Sequence, residues 1–394
     1  MELLPEAAAQ LLYSVSPAHL CQAAFALASC AVLAVAVTPS KERKLLVNYG
    51  ARSHGEPSAD TAAAARQKDD DILLRSVRTI TSVAQVPHMW FFTFYATYIL
   101  CAVFWAGQYL LNGSILCAIA TRQVQLGPSR ATNGHVAVAW CLMLLQAARR
   151  LYESWAFAKP SKSTMWILHW LLGQLFYVGI SVAIWVEGSG ALLQNQLRSW
   201  TLELTEDALL KVAIAVPLFF FAWVSQYRCH KYLAGLKKYS LPEQGLFRHL
   251  ISPHYTCECL IYLSLAIVAA PEGHWCNQTL LSALFFVAVN LGVTARGTKS
   301  WYIDKFGSDK VAPKKVMIPF VKILWRPEHI PVADSLGRKT NVGLNICDAV
   351  EILGVQVVGR DEEASGLLED PESWFRVKSA ILLARVYVET KTGS

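Results

Sequence analysis

Seven apolar segments, each near the length of a membrane-crossing helix, dominate this chain of 394 residues. They run over approximately residues 18–38, 89–111, 134–151, 164–186, 208–227, 255–271 and 277–295. About 20 helical residues cross about 30 Å of hydrocarbon, so blocks of this size constrain a chain more than any local motif does. Charged residues make up 16% of the sequence, against roughly 25% in an average soluble domain, and they collect between the blocks. The expectation is an all-α, polytopic membrane protein with about seven transmembrane helices. The second, fourth and fifth segments are the clearest, whereas the third and sixth are short and carry polar residues. Pro217 lies inside the fifth, where neighbouring helices can satisfy the carbonyl it frees.

The loops set an orientation. Basic residues crowd the segment between spans one and two (Lys41, Arg43, Lys44, Arg52, Arg66, Lys68, Arg75, Arg78) and that between three and four (Arg149, Arg150, Lys159, Lys162). They recur between five and six (Arg228, Lys231, Lys237, Lys238, Arg248) and after seven (Arg296, Lys299, Lys305, Lys310, Lys314, Lys315). The other loops are nearly bare. Because basic loops stay on the cytosolic side, the N-terminus is expected in the lumen and the C-terminus in the cytosol. The same distribution accounts for the net charge of +7 without a nucleic-acid partner, which would want its cations gathered in one patch. The sequon Asn112-Gly113-Ser114 falls on a lumenal loop. The opening MELLPE lacks the basic stretch of a cleavable signal, and the polar, Ala-rich run Ser53–Asp71 reads as a cytosolic loop.

Chemistry concentrates in three places. Arg149-Arg150-Leu151-Tyr152-Glu153 ends span three; it reads either as an anchor with Arg150 and Glu153 paired one turn apart, or as a clamp for phosphate or carboxylate. Gln226, Arg228, His230, Lys231, Lys237 and Lys238 follow span five, as a solvated loop or as a cation group for phosphates. Ser252-Pro253-His254-Tyr255 with Glu258 opens span six. A carboxylate one turn inside an apolar helix is costly, and points to a structural ion pair or a ligand. No G-x-G-x-x-G or P-loop is present, so phosphates would be held by side chains. No G-x-S-x-G occurs, and the ten histidines and ten cysteines form no metal-ligand spacing; Cys257 and Cys259 read as packing residues.

At these clusters the sequence resembles the steroid 5α-reductase family. The basic loop, the SPHYTCE segment and the string SWYIDKFGSDKVAPKKVMIPF match that family's C-terminal pattern. Tyr49-Gly50, Gly55-Glu56-Pro57-Ser58, Val86-Pro87, Phe94-Tyr95, Arg149 to Glu153 and Gln226-Tyr227-Arg228-Cys229-His230 are similar to its polyprenol (polyprenal) reductase branch, with fungal-like wording over residues 149–173. The resemblance covers roughly residues 40–320. It implies a seven-helix reductase domain over residues 1–320, with a cytosolic loop at about 40–87 and the family motif at 299–320. It also implies NADPH as hydride donor, a polyisoprenoid lipid substrate, the endoplasmic reticulum membrane and a part in making dolichol for protein glycosylation; no obligate protein partner is evident. By motif position Arg150, Gln226, His230, Lys237, His254, Tyr255, Glu258 and Tyr302 would line the cofactor. Arg149 and Lys238 join them from the basic clusters, and Lys299 stands where the family commonly has a histidine.

The chain departs from the steroid-reducing branch. The span-three tyrosine of that branch is replaced by Ala147, and its span-two glutamate has no counterpart near Thr93–Ala96. Steroids are therefore not the expected substrate, and Tyr95 becomes the candidate proton donor beside Glu258. Hydride, a nucleophile, adds to an alkene only where a carbonyl draws electrons away, which favours polyprenal over polyprenol as the immediate substrate. Its tail is expected among the aromatics of spans two and four (Trp90, Phe91, Phe92, Trp105, Trp166, Trp170), unless these simply face lipid. Alternatives on the same scaffold are trans-2-enoyl-CoA or steroid and sterol reduction; a different class is a non-catalytic lipid transporter or scaffold. Residues 321–394 form an appendage of soluble character, expected in the cytosol, with no assigned role.

Overall fold

A computed structural model describes residues 14–38, 81, 84–128, 131–159, 163–196, 205–237 and 240–317. The motifs around Tyr49 and Gly55, Lys238, Ile318-Pro319-Phe320 and residues 321–394 lie outside the described residues. The described chain is a helical assembly. Its longer helices are α1 (Pro17–Val37), α2 (Phe92–Leu110), α3 (Ser114–Leu126), α4 (Asn133–Ala156), α5 (Ile167–Ala183), α6 (Ser189–Gln196), α7 (Glu206–Gly235), α8 (Pro253–Val268) and α9 (Gln278–Phe306). A four-residue α10 (Ser308–Val311) follows. A two-stranded antiparallel ribbon, β1 (Gln85–Pro87) with β2 (Thr164–Trp166), pairs Val86 with Met165 and ties the start of α2 to the start of α5.

Among the described residues, five helical segments are long and apolar enough to cross a membrane: Pro17–Val37, His88–Leu110, Ile167–Gln194, Glu206–Gly235 and Gln278–Phe306. Leu100, Leu175 and Phe221 are 65–70% exposed on their outer faces; in water such faces would aggregate, and in a bilayer they meet lipid. The chain is thus a multi-pass membrane protein. The other two expected spans form as helices but are not among the five. Helix α8 has 16 residues, and α4 carries Gln146, Arg149, Arg150 and Glu153. Helix α3 was not expected at all: residues 114–126 read as loop because Arg122, Gln123 and Gln125 interrupt the apolar run. It packs by its buried Leu116, Ala120 and Gln123, the last accepting a hydrogen bond from Ala18 N at 2.8 Å.

Helix ends follow from local chemistry. Ser16 caps α1 and Pro17 opens it; Thr132 and His135 form a reciprocal capping box at α4; Thr205 caps α7 ahead of Glu206 and Asp207; Asn277 caps α9. Gly307 ends α9 at φ 89°, a conformation that suits a residue without Cβ. Helix α7 continues through Pro217. Helices α7 and α8 pack along each other, α9 packs on α1 and α8, and α2 packs on α4 and α5. The shared core includes Tyr98, Met143, Ile180, Phe219, Ile261, Tyr262 and Leu265. Gly173 permits the α2–α5 contact: a Cβ there would lie 2.6 Å from the ring of Phe94.

Candidate active site

The polar side chains of α4, α7 and α8 repeat at helical spacing and therefore share faces. Gln146, Arg149, Arg150 and Glu153 occupy positions i, i+3, i+4 and i+7 of α4. Gln226 and His230 lie one turn apart on α7, and His254, Glu258 and Tyr262 stack on successive turns of α8. The three faces meet, with Tyr95 arriving from α2.

Glu153 is the hub. Its side chain is 2% exposed and takes ion pairs from both Arg149 and Arg150, the latter at 2.5 Å. His230 Nδ1 lies 2.8 Å from the same carboxylate and 2.9 Å from an Arg150 Nη. The expected Arg150–Glu153 pairing is therefore present, inside a larger buried network. Arg149 also donates to the side-chain oxygens of Gln146, at 2.7 Å, and Gln226. Its guanidinium lies over the Trp223 ring at 4.8 Å. The amide nitrogens of Gln146 and Gln226 both donate to Glu258 Oε2, the former at 3.2 Å. Arg150 Nη2 donates to Tyr95 Oη at 2.7 Å and stands 5.0 Å over its ring. The phenol oxygen thus accepts from a cation, leaving its own proton to be directed elsewhere.

These groups form the polar end of a cavity of about 520 Å³. Tyr95, Arg150, Gln226, His230, His254, Tyr255 and Glu258 line that end; Ala31, Val32, Val35, Phe91, Trp166, Leu172, Phe176 and Leu291 line the apolar remainder. The His254 ring sits 4.2 Å from Tyr255 and 5.4 Å from His230, and its buried Nδ1 has no hydrogen-bond partner among the described residues. Of the aromatics singled out for a lipid tail, Phe91 and Trp166 are in the wall; Trp105 instead donates to Ser181 at 3.1 Å, away from the cavity.

Other expected site residues fall elsewhere. Lys237 is exposed, and Tyr302 is not among the cavity-lining residues. Arg149 supports the wall from behind. Lys299 Nζ donates to the carbonyls of Ala312 and Lys314, at 3.0 and 2.5 Å, because the chain after Gly307 turns back beneath α9. That returning strap holds the base of α8: Ile251 N donates to Lys315 O, Ser252 N to Val316 O, and Thr256 Oγ1 to Met317 O. Lys314 Nζ closes it on Pro242 O at 2.8 Å, and burial pushes its ammonium pKa down. We expect Lys314→Met to release the strap, so that the amides of Ile251 and Ser252 exchange with deuterium at least tenfold faster. Unchanged protection would show that the strap does not depend on this lysine.

Glu153 and Gln146 were readable as the i+4 and i−3 members of the face that Arg149 occupies. Tyr177 on α5 was not: it lines the cavity from the middle of an apolar segment, and nothing in its sequence neighbours separates it from packing aromatics.

Parts of the chain are similar to known sequences. Residues 175–322 match the family described as 3-oxo-5-alpha-steroid 4-dehydrogenase. Polyprenal reductase of Saccharomyces cerevisiae is 31% identical over 185 residues, covering 47% of this chain and 64% of that protein. Polyprenal reductase of Drosophila melanogaster is 28% identical over 195 residues, covering 46% and 56%; polyprenal reductase 2 of Oryza sativa subsp. japonica is 27% identical over 285 residues, covering 60% and 79%. The match thus spans a little over half of the fly protein and about four fifths of the rice one. Arg150, Tyr95 and Tyr177 lie on helices at or before the start of the matched region, whereas α7, α8 and α9 fall within it; over this part the chain is similar to the steroid 5α-reductase family and to polyprenal reductases.

Proposed function

We propose that the chain is an NADPH-dependent reductase of the α,β double bond of polyprenal, yielding dolichal at the endoplasmic reticulum membrane and so supplying dolichol for protein glycosylation. The observation that carries this reading is the two-part cavity, in which a cation-bearing polar end joins an apolar channel among membrane helices. A charged nucleotide and a greasy tail can meet only in such a place. The orientation read from the basic loops puts the N-terminus in the lumen and the polar end of the cavity on the cytosolic side, where a soluble nucleotide arrives.

The polar end fits a nicotinamide dinucleotide. Arg150 offers a cation with a partly exposed side chain, His254 a buried ring nitrogen with no partner, and Gln226 and Tyr255 neutral polar groups. Lys231 and Lys237, both exposed after the site-bearing part of α7, would serve the 2′-phosphate. When bound, NADPH supplies a hydride for the β-carbon of the enal. Tyr95 delivers the proton to the α-carbon; the guanidinium of Arg150 on its oxygen makes the phenol a readier donor, since it stabilises the phenolate left behind. Glu258 fixes the two glutamine amides, and the apolar walls exclude water from the reacting carbons.

Among the described residues Arg150 is the one Lys or Arg lining the cavity. An acyl-CoA, with its additional phosphates, would want more, and this speaks against the enoyl-CoA alternative. The deciding experiment supplies the purified protein in nanodiscs with NADPH and, in turn, polyprenal, polyprenol, a 3-oxo-Δ4 steroid and a trans-2-enoyl-CoA. Polyprenal should be reduced at least tenfold faster than the other three. Equal turnover of polyprenol without an oxidised intermediate would overturn the assignment of the aldehyde, and lack of NADPH binding would overturn the enzyme reading.

A further inference from the structure

Tyr262 is among the most deeply buried large side chains of the described residues, at 1% exposure, yet its hydroxyl meets only the phenol of Tyr177 and no acceptor is described for its own proton. A phenol enclosed in this way ordinarily finds an acceptor, because an unmet buried donor costs stability. This one lies in the cavity wall. It stands one helical turn beyond Glu258 on α8, so it follows the last charged group of the polar end. Its ring packs edge-on against Phe176, centroids 5.8 Å apart, where the apolar part begins. The phenol of Tyr177 is its polar neighbour, and the Tyr177 ring in turn packs edge-on against Tyr95 at 5.6 Å. The unmet donor therefore marks the border between the two halves of the cavity. A lipid whose polar head is a single carbonyl would come to rest at that border, its tail in the apolar part and its oxygen at the first available hydroxyl.

We infer that Tyr262, oriented by Tyr177, is the hydrogen-bond donor to the aldehyde oxygen of the substrate, a catalytic role separate from that of Tyr95. The inference rests on the enal-reductase reading and adds the missing electrophile to it. As hydride forms the new C–H bond at the β-carbon, the π pair of the C=C bond moves to the α-carbon and the carbonyl, and negative charge gathers on oxygen. The Tyr262 O–H faces that oxygen and strengthens its bond as the charge grows. The α-carbon then takes the proton of Tyr95, the C=O bond re-forms, and Tyr95 regains a proton from solvent. The sum is enal, NADPH and one proton to saturated aldehyde and NADP⁺. Two phenols divide the work: one, held by a cation, gives its proton to carbon; the other, set by Tyr177 among apolar neighbours, keeps its own.

The test uses Tyr262→Phe in the full chain. Loss of one such donor should lower kcat with polyprenal by about 10²-fold and leave the Kd for NADPH within twofold. The melting temperature should stay level, because the variant keeps the packed ring and removes a hydroxyl whose own proton has no acceptor. Isotope-edited infrared spectra of a bound ¹³C=O saturated aldehyde should show the carbonyl stretch at lower frequency in the wild type than in Tyr262→Phe. A kcat within twofold of wild type overturns the inference, as does a rate loss with the same carbonyl frequency in both proteins, which would mean a packing role. A wild type that binds the aldehyde with a lowered carbonyl frequency but reduces no enal would sink the proposed function and leave the carbonyl contact standing.

Discussion

Replacing Glu153 with Gln should lower the melting temperature of the solubilised protein by on the order of 5–10 °C, the largest stability effect of any conservative change at the site. The carboxylate is 2% exposed and holds Arg149, Arg150 and His230 together. Removing one member of a buried ionic group leaves its partners charged in a poor solvent, at a cost of about 3–5 kcal/mol, and a shift of some degrees per kcal/mol follows. Glutamine keeps the shape and one acceptor oxygen, so the loss is that of charge and not of packing. Differential scanning fluorimetry in detergent measures it. Tyr152→Phe serves as the control, since Tyr152 shares the same turn but is exposed. A Glu153→Gln protein that melts with that control would mean the two guanidiniums are satisfied by the glutamines and His230 alone.

The same network shows what the sequence could and could not convey. Membrane character was legible because apolar length is a one-dimensional property: the seven helices lie where seven apolar blocks were read, with ends set by Ser16, Thr132, Thr205, Asn277 and Gly307. The convergence of Arg150, Gln226, His230, His254 and Glu258 was legible only through resemblance, since it depends on the packing of α4, α7 and α8, which no local pattern encodes. Lys299 shows the opposite limit. Its place next to a family motif suggested a ligand contact, but its ammonium is taken up by two backbone carbonyls of the returning strap, a tertiary event of residues 312–314. Helix α3 was missed because its polar residues face Val15, Ala18 and Pro128 at a helix-packed end of the protein, where period and composition no longer report burial. Tyr262 was hidden for a related reason: within ECLIYLSLAIV a tyrosine reads as packing, and only the missing acceptor for its proton distinguishes it.

Glu258→Gln should reduce kcat/KM with polyprenal by about a hundredfold while moving the melting temperature far less than Glu153→Gln does. Glu258 Oε2 accepts from the amides of both Gln146 and Gln226, and Gln226 also donates to His254 O. With their nitrogens fixed by a carboxylate, both amides turn their oxygens to Arg149. The carboxylate therefore sets the direction of both glutamine amides between α4, α7 and α8. A neutral amide in its place offers one oxygen and two competing N–H donors, so either glutamine can flip, and each charge-assisted bond falls to an ordinary one. A loss of about 1.5 kcal/mol at each of the two bonds amounts to roughly 3 kcal/mol of misalignment, or about two powers of ten in rate. Unlike Glu153, Glu258 makes no ion pair within 4.0 Å among the described residues, so its neutralisation strands no buried cation and the fold should persist. NADPH affinity measured by fluorescence separates the two ways in which the rate could fall. A weaker Kd with kcat retained would place Glu258 in holding the cofactor, and a lower kcat at unchanged Kd would place it in aligning the reacting groups. Full activity in the variant would remove Glu258 from the catalytic assembly.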